Sequence, residues 1–131
     1  MLPVAPSHLV LVALGGGLGA GGRFLASHWT NAMLPAARWP VGTFAVNLIG
    51  SILIGAIIMA TLDHPGLSRT RLFLITGLLG GFTTFSAFSF ELTEMLAERR
   101  FGPAAAYAGG SVIICILGTA LGAALVRLAA K

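Results

Sequence analysis

The chain has 131 residues, of which 56% are hydrophobic and 9% charged, whereas a soluble domain carries about a quarter charged residues. Its 8 Lys+Arg and 4 Asp+Glu are scattered, so the net charge of +4 forms no basic patch and argues against a nucleic-acid partner. The single Cys115 excludes a disulfide within the chain and a Cys-rich metal site, and so apolar a chain leaves no room for a soluble catalytic domain.

The charges mark off neutral stretches, and four of them can hold the roughly 20 apolar residues that cross ~30 Å of hydrocarbon. The first helix is predicted over about 7–30, with Ser7 as N-cap. No Lys or Arg precedes this apolar run, so it is not expected to be a cleaved signal. A short loop holding Pro35, Arg38 and Pro40 leads into the second helix, about 39–62. Asp63-His64-Pro65-Gly66 is a turn by composition. The third helix is predicted over about 68–98 and, after a turn at Arg99 to Pro103, the fourth over about 102–127. Trp29, Trp39 and Tyr107 fall near these ends, where amphipathic rings suit the membrane interface. The fold class is therefore an all-α integral membrane protein, one domain of four spans.

Orientation follows the distribution of cations between the two faces. Arg69, Arg71, Arg127 and Lys131 fall on one side; Arg38, Arg99 and Arg100 fall on the other. Four against three is almost no bias. The chain is expected to insert both ways, which makes an antiparallel homodimer reasonable.

The third span carries its own signal. From Arg71 to Gly80 a helix advances ~13.5 Å, close to half the hydrocarbon thickness, and there Gly80 and Gly81 precede Thr83 and Thr84. A break near 80–83 is predicted, because irregular backbone at that depth marks a place where protein, water or an ion satisfies it. Gly77 and Gly81, four apart, also fit a close-packing face.

Polar residues cluster in the half of the bilayer nearer the first and third loops. At 1.5 Å per residue, Thr43 and Asn47 lie ~6 and ~12 Å deep, Glu91 ~10 Å, and Tyr107 and Ser111 ~6 and ~12 Å. Arg23, ~9 Å deep, needs a vestibule, a carbonyl or an anion, since a buried Arg costs ~2.5–3.5 kcal/mol on insertion scales. Glu91 has three options: Tyr107, an aqueous path, or Arg23. Glu94 and Glu98 are expected to be solvated. Thr43, Asn47 and Ser51 recur every four residues, as do Tyr107, Ser111 and Cys115, and such stripes face away from lipid. Single hydroxyls can bond their own helix, but the amide of Asn47 cannot be satisfied that way. Phe85 and Phe88 share a face, and their positive ring edges together with the Asn47 donors suit a small anion.

Gly-Gly-Arg-Phe at 21–24, Gly-Thr-Phe-Ala-Val-Asn-Leu-Ile-Gly at 42–50 and Gly-Gly-Phe-Thr-Thr-Phe-Ser-Ala-Phe-Ser at 80–89 resemble the motifs of the Fluc (CrcB) fluoride channel family, and the likeness runs along the whole chain. The resemblance implies a dual-topology homodimer in the cell (inner or plasma) membrane that exports cytoplasmic fluoride passively through two antiparallel pores. It implies a central structural Na+, not transported, held by the backbone carbonyls of Gly80 and Thr83 of both copies. Asn47, Phe85 and Phe88 would line the pore, Thr43, Glu91, Tyr107 and Ser111 would form a polar track, and Arg23 would be the vestibule arginine. Ala87 stands where the family more often has Thr, and Cys115 interrupts a row of hydroxyls.

Other classes fit less well. A small multidrug exporter should carry an acid in its first span, where this chain has Arg23. A non-conducting assembly subunit leaves Asn47 and the Thr83–Ser89 run without purpose. An enzyme would have to be assembled from Cys115, His8, His28 and His64. No nucleotide motif or acid pair for proton coupling is present, which favours a channel over a pump.

Overall fold

Four helical stretches long and apolar enough to cross a bilayer make up most of a computed structural model, which describes residues 5–34 and 39–131: Pro6–Met33, Val41–Thr61, Pro65–Ala97 and Phe101–Ala129. The chain is a multi-pass, all-helical membrane protein. Helix α1 (Pro6–Met33) starts one residue before the predicted N-cap; Ala5 holds that position without a side-chain bond, and Ser7 lies inside the first turn. Pro6 sets the boundary, because its fixed φ and missing N–H suit the first helical position. Pro35 and Arg38 lie outside the described residues. Helix α2 (Val41–Thr61) begins two residues later than predicted, after Pro40, which leaves Trp39 free to pack on Phe44 and Tyr107 with ring centroids 5.4 and 5.2 Å away.

The third span is built from pieces. A 3-10 turn (Pro65–Leu67) and the short α3 (Ser68–Arg71) lead into a π-helix, Leu72–Leu79, and then into one turn of α4 (Gly80–Phe82). Thr83 (φ −82, ψ 157) and Thr84 (φ −152, ψ 124) are extended, and α5 (Phe85–Ala97) follows. A π-helix of eight residues is unusual, since such turns occur mostly as single bulges at functional sites. Arg99, in the left-handed region at φ 57, reverses the chain into α6 (Phe101–Ala129).

Two helix pairs hold these pieces together. α1 lies along the π-helix and α4, while α2 lies along α6. Both seams rest on glycine: a Cβ on Gly19 would overlap the Leu78 carbonyl, and one on Gly122 would overlap that of Ile52. Backbones that approach this closely gain packing that larger side chains forbid. Gly81 belongs to the first seam, against the Gly16 carbonyl, whereas Gly80 meets nothing nearer than 3.6 Å. The two adjacent glycines therefore do different things, one packing against α1 and the other facing open space.

A small core of Phe88, Met95, Ala104 and Tyr107, flanked by Trp39, Phe44 and Leu92, ties α5 to α6. Tyr107 is fully buried, so the expectation that it sits as an interfacial ring is corrected. The lid formed by Trp39 and the partner waiting at Glu91 draw it inward. Large apolar side chains such as Leu14, Leu18, Ile113 and Leu117 stay exposed, a surface suited to hydrocarbon.

Candidate functional site

The interruption at Thr83 and Thr84 exposes a peptide that a continuous helix would have satisfied, and Asn47 replaces what is lost. Its Oδ1 accepts from the Thr84 N–H at 2.8 Å and its Nδ2 donates to the Thr84 carbonyl at 3.0 Å. The position four residues after Thr43 on α2 brings the amide level with the break, and Gly50 lets Thr83 pack against the same helix. An Asn amide has two N–H donors, and one of them serves Thr84.

The same rerouting frees two carbonyls. In an unbroken helix the Thr84 N–H would go to Gly80 O, but it goes to Asn47; the Ala87 N–H would go to Thr83 O, but it goes to the capping Thr84 Oγ1 at 3.2 Å. Gly80 and Thr83 both line a cleft of about 450 Å³ between the break, α2 and α6. Hard cations favour such oxygens, so these two residues have the donor chemistry for one. Among the described residues no group of three His, Cys, Asp or Glu is placed to hold a metal.

Beside the break, Glu91 accepts from Thr43 Oγ1 at 2.5 Å and from Tyr107 Oη at 2.7 Å. Of the two protein partners expected for this carboxyl, Tyr107 is present and Arg23 is not, with Thr43 added. Arg23 takes a different partner, donating through Nε to the Gly81 carbonyl at 3.2 Å. It thus braces the C-terminal turn of α4, where a cation also complements the helix dipole. Glu94 and Glu98 are exposed, and Glu98 pairs with Arg100 at 3.2 Å.

Phe85 and Phe88 stand with ring centroids 5.3 Å apart, tilted by 43°. Their surroundings differ: Phe88 is buried and lies against Tyr107 at 5.1 Å, whereas Phe85 is 76% exposed and borders the open cleft. Hydroxyls divide in the same way. Ser89, Thr93 and Thr119 bond carbonyls of their own helices. Ser111 does not; its Oγ is buried and has no partner among the described residues, at the wall of the cleft with Cys115. The arrangement thus collects unspent donors, two released carbonyls and an aromatic pair on one face, next to a hydrogen-bonded polar cluster of Thr43, Glu91 and Tyr107 in which Glu91 is half-buried. The π-helix upstream is the part of this region that sequence reasoning missed, and its composition carries no signal that distinguishes it from an ordinary apolar helix.

A family model described as CrcB-like protein, Camphor Resistance (CrcB), matches residues 10–123. Among curated proteins, the fluoride-specific ion channel FluC of Cereibacter sphaeroides is 46% identical over 121 residues, covering 92% of this chain and 95% of that relative. The protein of the same name from Novosphingobium aromaticivorans is 44% identical over 117 residues, 88% and 93% of the two chains. That of Bordetella pertussis is 41% identical over 129 residues, 98% of each.

Proposed function

The chain belongs to the CrcB family, whose members are channels and not enzymes, and from that premise we propose that it is a fluoride-selective ion channel that lets cytoplasmic fluoride leave the cell passively. The observation that carries this reading is the break in the third span. Asn47 pins it, and the unspent donors and the Phe85–Phe88 pair gather beside it.

Fluoride is small and strongly hydrated, and an isolated charge of that kind is heavily penalised in an apolar medium. A conducting route must replace water by many weak partners, so that the ion enters without being trapped. The second N–H of Asn47, the positive edges of Phe85 and Phe88 and the Ser111 hydroxyl are partners of that kind. Thr43, Glu91 and Tyr107 continue the polar track toward the first and third loops. A larger halide would be poorly served by so narrow a set. Arg23 adds positive potential at the vestibule while it braces Gly81.

The functional unit in this reading is an antiparallel homodimer with two pores, in the inner or plasma membrane. Its support is the near-even split of cations between the two faces and the one-sided polar wall. One copy supplies half a route, and the exposed Phe85 and the open cleft are the face on which a second copy would complete it. Na+ fits the same face: the Gly80 and Thr83 carbonyls of two copies would offer four oxygens. When bound it supplies a fixed positive charge near the membrane centre.

The test is efflux from proteoliposomes loaded with fluoride or chloride, read with ion-selective electrodes while valinomycin clamps the potential. Rapid loss of fluoride with retention of chloride is the expected outcome. Retention of both, or equal loss of both, would remove the assignment.

A further inference from the structure

A second cleft, of about 690 Å³, lies where the first and third spans begin. Ser7, Val10 and Leu11 line it from α1, at spacings of three and four that place them on one helix face. Arg69, Thr70, Phe73 and Leu74 line it from the third span. The chain crosses twice between them, along α1 and back along α2, so both starts lie at the same end of the bundle. The lining is graded in polarity. Ser7, Arg69 and Thr70 form the mouth, and the apolar residues lie about one turn, ~5.4 Å, further toward the hydrocarbon. Arg69 is exposed and makes no ion pair among the described residues, while Arg71, two positions on, does not reach the cleft. The first turn of α1 has no side-chain cap, so its N–H groups reinforce the positive mouth.

A phospholipid has the same gradation, with a phosphate above and acyl carbons below, and basic pockets between spans at a leaflet surface suit anionic headgroups. We infer that this cleft binds an anionic phospholipid. The phosphate sits on the Arg69 guanidinium with the Ser7 and Thr70 hydroxyls, and an acyl chain runs along Leu11, Phe73 and Leu74. A zwitterionic lipid is the poorer ligand, because its own ammonium offsets the attraction.

Native mass spectrometry of the detergent-solubilised full chain tests this with three probes: dioleoyl phosphatidylglycerol, dioleoyl phosphatidylcholine and glycerol 3-phosphate. The expected result is phosphatidylglycerol bound with a Kd about fivefold below that of phosphatidylcholine, and no adduct with glycerol phosphate. Arg69→Gln brings the two lipids level, Arg69→Lys restores most of the preference, and Arg71→Gln leaves it unchanged. Three results would each overturn the inference: equal binding of both lipids by the unaltered protein, glycerol phosphate binding as well as the lipid, or equal loss in the Arg69 and Arg71 variants.

Discussion

The two halves of the third span are held by opposite means. Upstream of Thr83, the π-helix and α4 lie against α1 through bare backbone, with glycines at the contacts and one long polar bond from Arg23. Downstream, α5 is held by side chains: Asn47 on the Thr84 peptide, and Thr43 and Tyr107 on Glu91. The first half is fixed by shape and the second by chemistry. Packing of the first kind tolerates no added volume; bonding of the second kind tolerates volume but not the loss of a donor. The consequence is a division of labour in which the glycine seam fixes the upstream half against α1, while Asn47 pins the break and keeps one amide N–H for an ion.

Substitutions can break this comparison in graded steps. The largest effect is expected from Gly19→Val, whose Cβ would overlap the Leu78 carbonyl and which adds two further methyl groups at that contact-tight position. Overpacking costs typically 1–3 kcal/mol and occasionally more, and a backbone that cannot move belongs at the upper end. The measurement is the yield of monodisperse protein and its thermal unfolding midpoint in detergent. Next is Tyr107→Phe, which takes from the Glu91 carboxyl one of its two hydroxyl donors among the described residues and should cost about 1–3 kcal/mol. Combined with Thr43→Val in a double-mutant cycle it should show a coupling of about 0.5–3 kcal/mol; strict additivity would mean the two hydroxyls do not act on one group.

Arg23→Met keeps an unbranched side chain that matches arginine's as far as Nε and removes its bond to Gly81. A loss of about 1 kcal/mol is expected, with the downstream cluster untouched, and an unchanged midpoint would show that the brace contributes nothing. The smallest effect has the opposite sign. Arg99 adopts φ 57, which costs a residue with a Cβ about 1 kcal/mol relative to glycine. Arg99→Gly should therefore raise the midpoint slightly.

Much of this architecture is legible in the sequence, because four uncharged stretches of spanning length can cross a membrane and almost nothing else. The helix ends are less so: Pro6 rather than Ser7 opens α1, since ring geometry outweighs a capping hydroxyl, and Pro40 delays α2 past Trp39. Asn47 stands out in the sequence as an amide its own helix cannot satisfy, yet its partner, a peptide 37 positions away, is a fact of tertiary structure. Tyr107 misleads for the same reason: proximity to a helix end suggests the interface, and only the fold shows Trp39 covering it. The π-helix at Leu72–Leu79 has no compositional trace at all. Close packing and a break both fit a glycine pair in the sequence, and the structure assigns Gly81 to the seam and Gly80 to the cleft.

The central claim is that the peptide held by Asn47 borders the route of the ion. Initial fluoride efflux from proteoliposomes bearing Asn47→Ala, compared with the unaltered protein at equal reconstituted amounts, tests it most directly. The account predicts a fall of at least about tenfold, the rate equivalent of ~1.4 kcal/mol, in protein that still elutes as the unaltered form does. A variant that conducts fluoride at the original rate would contradict it.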